Sequence, residues 1–369
     1  MIPYSRQSID KKDIEAVVKV LRSDFVTQGP VVPEFERALA GFCGAKYAVA
    51  TTSGTSALHL AYMAAGLGEG DEVITTPNTF VATANMLMVL RAKPVFCDIR
   101  EDNFNIDEKK IEKFVTKKTK AIVPVHFAGH PCEMGTISKI ARKRGLLVIE
   151  DACHALGAVY KKSKIGSCRY SDMAVFSFHP VKSITTGEGG VVLTNSKEHY
   201  DRLVHLRNHG VEKDDKGKNV MTVLGFNYRM TDIQAALGLS QLEKLGAFIK
   251  ARNRVAEWYK EELKDAPVIL PNYPKNDYSS WHIYVIRVRN PINRDELVFF
   301  MKKKGIGVNF HYPALYAHPY YRRNGYKNIH LDNEERYQDS CITLPCYPGL
   351  KKSEVKYITD TIKKYAEYV

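Results

Sequence analysis

The sequence contains no run of 18 apolar residues, so no membrane-spanning helix is expected. Its opening residues, Met1-Ile2-Pro3-Tyr4-Ser5-Arg6, lack the apolar core of a signal peptide. Cysteine is scattered: seven residues, an odd number, with no C-x-x-C pair. That usage argues against a disulfide framework or a bound metal. It fits a reducing cytoplasm, with the thiols serving as small buried apolar side chains. No G-x-S-x-G, Walker loop or G-x-G-x-x-G occurs, so the usual signatures of serine hydrolases, P-loop NTPases and dinucleotide enzymes are missing. Zinc-finger and RNA-recognition signatures, internal repeats and low-complexity tracts are absent too, and no nucleic-acid partner is expected.

What is present is ordinary in bulk. Of 369 residues, 44% are apolar and 26% charged, enough for a large core and two domains. The net charge of +13 rests on dispersed lysines such as Lys11-Lys12, Lys117-Lys118 and Lys161-Lys162, which read as solvated helix faces. A basic surplus also suits an anionic substrate.

Residues 10–22 carry a helical apolar stripe with Asp10 as N-cap, and 32–42 carry another. Strand-like runs follow at 47–50, 73–75, 94–97, 121–125, 146–150, 173–178 and 191–194. Helical patterns lie between most of them, at 55–65, 82–90, 107–114 and 134–143. Alternation of this kind predicts an α/β fold with a mostly parallel central sheet covered on both faces. Ligands of such sheets bind beyond the carboxyl ends of the strands. Residues 214–218 read as an exposed loop, and 231–248 and 251–263 as two helices. The latter leads into a smaller α+β domain with strands at 281–288 and 307–311 and helices at 295–304 and 354–365, the last capped by Ser353. The expected boundary puts the N-terminal arm and large domain at 1–249 and the small domain at 250–369.

Lys182 carries the chemistry. It follows the apolar run Phe176-Ser177-Phe178-His179-Pro180-Val181 and precedes the glycine-rich turn Gly187-Glu188-Gly189-Gly190. Most lysines lie on surfaces, but this context places an amine in an interior turn, where burial lowers its pKa and frees it to attack a carbonyl. Asp151 ends the 146–150 run and suits a pyridinium nitrogen, so pyridoxal 5'-phosphate (PLP) is the cofactor to test. Alone, Asp151 reads equally as a helix cap. Thr51-Thr52-Ser53-Gly54-Thr55-Ser56 follows a strand and opens a helix, which makes either an anion cradle or an ordinary cap. Phe80 is a candidate for stacking on a planar ring, or a core aromatic. His154 lies three residues beyond Asp151 and either packs near the ring or is satisfied by backbone. His126 and His130 have a metal-like spacing, but Gly129-His130-Pro131 argues for a loop.

Taken in order, Ser53 to Leu58, Glu150-Asp151-Ala152, Ser177-Phe178-His179 through Lys182, Gly187 to Gly190 and Asn227-Tyr228-Arg229-Met230 resemble the DegT/DnrJ/EryC1/StrS nucleotide-sugar aminotransferases. The resemblance covers nearly the whole chain and implies the fold-type I PLP-dependent transferase architecture. Residues 79–87, 183–186 and 234–242 resemble the subgroup of the pseudaminic acid pathway. By that resemblance Lys182 holds the cofactor covalently, Asp151 pairs with its ring nitrogen, and Phe80 stacks on the ring. Gly54, Thr55 and Ser177 bind the phosphate, Ser53 belongs to the cofactor site, and His154 lies near the ring. Asn227 reaches the neighbouring subunit's cofactor in a homodimer with shared active sites. Tyr4, Asp24, Phe25, Val26, Thr27, Arg229, His311, Tyr312, Pro313 and Ala314 contact substrate. The implied reaction moves an amino group from L-glutamate to C4 of a UDP-linked 4-keto-6-deoxy-N-acetylhexosamine. Other UDP- or dTDP-linked keto sugars aminated at C4 or C3, of the bacillosamine, perosamine or aminoarabinose type, share much of the pattern. A non-catalytic PLP-binding sensor and a PLP lyase or dehydratase are readings from other classes. Family dehydratases replace the lysine by histidine, so Lys182 points to amine transfer.

Overall fold

Seven short strands form the central sheet: β1 (Tyr47–Thr51), β2 (Glu72–Thr75), β3 (Lys93–Phe96), β4 (Thr119–Val123), β5 (Leu147–Asp151), β6 (Met173–Ser177) and β7 (Gly190–Thr194). The computed structural model describes residues 1–274, 277–289 and 292–367. The strand order is β1-β7-β6-β5-β4-β2-β3, parallel except for β7, which runs antiparallel to β1 and β6. Both faces are buried, as the apolar runs require. Along β6, Ala174 and Phe176 enter one core cluster while Met173 and Val175 enter another on the opposite face.

Helices cover both faces: α1 (Lys11–Leu21), α2 (Val31–Cys43), α3 (Gly54–Ala64), α4 (Ala82–Val89), α5 (Met134–Arg144), α6 (Lys197–Arg207) and α7 (Asp232–Leu263). Asp10 does cap α1, in a reciprocal capping box with Asp13. The C-terminal unit adds α8 (Arg294–Lys303), α9 (Asp332–Gln338), α10 (Lys352–Ala366) and an antiparallel sheet of β8 (Val268–Ile269), β9 (Tyr284–Val288) and β10 (Cys341–Leu344). No helix among the described residues is long and apolar enough to cross a membrane.

Several sequence expectations are corrected. The two helices expected at 231–248 and 251–263 are one, α7, despite Gly246 near its middle. A mid-helix glycine costs about 1 kcal/mol, but burial on both sides outweighs it. Leu245 and Ile249 enter the large core, and Val255, Ala256, Tyr259 and Leu263 enter the small one. The expected boundary at 249/250 therefore falls inside a helix shared by both cores. Residues 107–114 form only a 3-10 turn at Ile111–Phe114. Residues 214–218 are an exposed loop as expected, at the tip of a hairpin pairing Val211–Lys213 with Asn219–Met221. Residues 307–311 make a single bridge, Asn309 to Thr343, not a strand. Ser353 lies inside α10, and Lys351 is its N-cap, with the Glu354 carboxylate accepting the Lys351 N–H at 2.8 Å.

Two long-range contacts fix the frame around the site. Asp232 opens α7, is fully buried, and accepts the amides of Gly29, Val31 and Val32 at 2.8, 2.8 and 3.2 Å, which ties the start of α2 to α7. The N-terminal arm pairs with the C-terminal unit: Ile2 N–H donates to Gly305 O at 2.8 Å, and Gly307 N–H to Ile2 O at 2.7 Å.

Candidate active site

The carboxyl ends of β1, β2, β5 and β6 and the amino end of β7 meet at one edge of the sheet. In the sheet register Gly190 lies opposite both Thr51 and Ser177. A side chain at Gly190 would strike the Ser53 carbonyl, so β7 starts on a glycine. Beyond this edge lies a cavity of about 560 Å³, lined also by residues 309–313.

Lys182 lines this cavity and is half-buried. Its loop is pinned at the base: Phe178 N–H donates to Gly189 O at 2.8 Å, and Thr186 N–H and Thr185 Oγ1 donate to Phe178 O at 3.0 and 2.9 Å. Burial holds the Lys182 amine below the ordinary lysine pKa, against the opposing pull of Cys153 and Asp151. Asp151 is 5% exposed. Its Oδ2 accepts the Thr83 hydroxyl at 2.6 Å and its Oδ1 the Cys153 N–H at 3.2 Å.

The start of α3 is built for an anion. Ser53 caps it in a capping box with Ser56, whose N–H donates to Ser53 Oγ at 3.1 Å. The amides left at the helix start are those of Gly54 and Thr55, and both residues line the cavity. Gly54 also lets α3 approach β6, because a Cβ there would sit 2.8 Å from the Ser177 Cβ. Gly54→Ala is expected to cost about 1–3 kcal/mol of stability. Urea unfolding would measure it, and a variant as stable as the parent would show that this packing is slack.

Phe80 is 57% exposed and lines the cavity, so it is not the core aromatic that an isolated reading allows. Its ring centroid lies 6.3 Å from that of Tyr312. The Tyr312 hydroxyl is 3.1 Å from His154 Nε2, and burial keeps His154 well below its ordinary pKa and therefore neutral. The His282 ring packs 4.3 Å from His154 and is held neutral for the same reason. Burial lowers His311 to about 4, and its Nδ1 lies 2.9 Å from Thr343 Oγ1.

Ser53, Gly54, Thr55, Phe80, Asp151, His154, Ser177 and Lys182 thus share one cavity with Tyr4, His311, Tyr312 and Pro313. Ala314 is fully buried behind the wall, in an apolar cluster with Phe96 and Tyr316. The remaining residues singled out do not line it. Asn227 is exposed, Arg229 donates to Asn208 Oδ1 at 2.6 Å, and Asp24, Phe25, Val26 and Thr27 are exposed. Sequence reasoning missed Thr79, Thr83, Cys153, His282 and Asn309, which also line the cavity. For Thr79 and Thr83 a signal existed, their spacing of four across a helix start. His126 is consumed by structure: Nε2 lies 2.7 Å from Glu150 Oε2 and Nδ1 accepts the Cys132 N–H at 3.0 Å.

A buried carboxylate, an amine of lowered pKa, free amides at a helix start and a half-exposed aromatic fit PLP, and together with the sheet topology they define a PLP-dependent transferase. The chain belongs to the DegT/DnrJ/EryC1/StrS aminotransferase family, whose model matches residues 7–363. It is 39% identical over 378 residues to the UDP-4-amino-4,6-dideoxy-N-acetyl-beta-L-altrosamine transaminase of Campylobacter jejuni subsp. jejuni serotype O:2, covering 100% of this chain and 98% of the relative. Among solved structures it is similar to Helicobacter pylori PseC, an aminotransferase of pseudoaminic acid biosynthesis. There the identity is 37%, the TM-score 0.94, and both chains are fully covered. Spr1654 of Streptococcus pneumoniae, solved in PMP and PLP forms, matches at 30% identity with TM-scores of 0.94 and 0.93. All of this chain is covered in both, with 100% and 99% of Spr1654. The protein is a PLP-dependent sugar aminotransferase.

Proposed function

We propose that the enzyme transfers the amino group of L-glutamate to C4 of a UDP-linked 4-keto-6-deoxy-N-acetylhexosamine, in the pseudaminic acid pathway. The observation that carries this reading is the end-to-end likeness to the Campylobacter jejuni transaminase, named for a UDP-linked 4-amino-4,6-dideoxy sugar. A cavity of about 560 Å³ supports a small-molecule substrate.

Bound PLP supplies a carrier for the amino group and a sink for negative charge on the reacting carbon. In this reading Lys182 holds the cofactor at rest. Its free amine would take the proton from the glutamate α-carbon and, in the return half, would deliver a proton to sugar C4. Asp151 would pair with the ring nitrogen, the Gly54 and Thr55 amides would hold the phosphate, and Phe80 would stack on the ring. Tyr4, His311, Tyr312 and Pro313 are proposed to contact substrate, with Ala314 backing them. Asn227, Arg229 and residues 24–27 lie away from their own chain's cavity. The exposed apolar side chains of Phe25 and Val26 suit contact with a second copy of the chain. They are assigned to the neighbouring site of a homodimer.

The test is turnover of a panel of UDP- and dTDP-linked 3- and 4-keto sugars with glutamate, followed by 2-oxoglutarate release and product mass. The UDP-linked 4-keto-6-deoxy-N-acetylhexosamine is expected to lead in kcat/KM by about tenfold or more. A lead for a dTDP-linked or 3-keto sugar would contradict the assignment.

A further inference from the structure

Asp151 sits at the end of β5 with almost no access to water, and a buried carboxylate must be solvated by protein. The usual solution is a lysine or arginine beside it. Here the donors within reach are neutral: the Cys153 amide on Oδ1 and the Thr83 hydroxyl on Oδ2. Thr83 has a single hydroxyl proton, and it goes to Asp151. The contact of 2.8 Å between Thr79 Oγ1 and Thr83 Oγ1 therefore runs one way, with Thr79 donating. Both threonines are buried, at 2% and 0% exposure.

We propose that Thr79 and Thr83 form a directed hydroxyl chain that positions Asp151 through neutral donors, so that its carboxylate is left for the ring nitrogen of the cofactor. This rests on the pairing of Asp151 with that nitrogen proposed above. A lysine or arginine in place of Thr83 would also stabilise the carboxylate, but it would neutralise the field that holds a proton on the ring. Two hydroxyls in series give a short, charge-assisted bond, and each link polarises the next. The aim of the chain is fixed. Thr83 is β-branched and stiff at χ1, lies in the first turn of α4, and its carbonyl accepts the hydroxyl of fully buried Tyr62 at 3.0 Å. The α3 helix, whose first amides face the cavity, thus also braces Thr83 through Tyr62. Thr79 and Thr83 are positioning residues and act through Asp151.

The test compares Thr83→Val, Thr83→Ser and Thr79→Val in the PLP-loaded enzyme. Thr83→Val is expected to lower kcat by about 10- to 100-fold with little change in the KM for glutamate. Nitrogen NMR of isotope-labelled PLP is expected to show the ring nitrogen losing its proton at lower pH than in the parent. A threonine that served packing alone would not move that signal. Thr83→Ser keeps the hydroxyl and is expected to restore both readouts nearly to parent values. Thr79→Val removes only the outer link and is expected to give a smaller shift of the same sign, which carries the test if Thr83→Val does not fold. Parent-like kcat and nitrogen signal in both valine variants, beside a crippled Asp151→Asn, would overturn the hydroxyl chain alone. Parent-like behaviour in Asp151→Asn as well would overturn the Asp151 pairing beneath it.

Discussion

Lys182→Ala is expected to abolish amine transfer, a fall of at least about 10⁴-fold in kcat, because in the proposed mechanism one amine both holds the cofactor and moves the proton. The fold is expected to survive. The Lys182 side chain lines the cavity, and its backbone N–H, which donates to His179 O at 2.9 Å, is untouched by the substitution. Removing an amine whose charge burial disfavours costs the folded state little, so the thermal midpoint should stay level or rise slightly. Lys182→Arg should be as inactive as the alanine variant, since a guanidinium keeps its proton. Single-turnover assays with glutamate, paired with thermal melts, check both halves. An alanine variant that melts normally and turns over at the parent rate would remove the lysine from the mechanism.

Asp151→Asn is expected to lower kcat by about 10²- to 10³-fold while weakening PLP binding less than tenfold. The substitution keeps the shape of the side chain and an oxygen for the Thr83 hydroxyl. It removes the negative charge, and with it the hold on a protonated ring nitrogen. In the proposed mode, binding draws on contacts spread along the cofactor, including the helix-start amides and the Phe80 ring, so it should suffer less than catalysis. Equal losses in kcat and in PLP affinity would mean that Asp151 only anchors the ring.

Much of this was legible in the sequence because the site lies where regular elements end. The strands of the sheet are short apolar runs buried on both faces, and Asp151 and Ser177 stand at the ends of two of them. The glycine-rich turn after Lys182 marks a backbone that must pass close to Ser53, a steric need that a sequence displays openly. Other features left weaker traces. The α6 helix is polar along most of its length, with only Leu203 and Leu206 buried, so its periodicity is faint. The α7 helix reads as two, 231–248 and 251–263, and the burial that carries it through comes from distant segments. Asp232 reads as an ordinary first-turn acid, and its partners lie about 200 residues upstream. Thr79 and Thr83 are common residue types whose meaning depends on Asp151, 68 residues beyond Thr83. Asn227, Arg229 and residues 24–27 came from family resemblance, and one chain's geometry gives them no place in its own cavity.

Reduction of the PLP-loaded enzyme with borohydride, followed by proteolysis and mass mapping, tests the centre of this reading most directly. The added mass is expected on the peptide containing Lys182, and on no other lysine. A label on a different lysine, or none after reduction of a coloured protein, would contradict it.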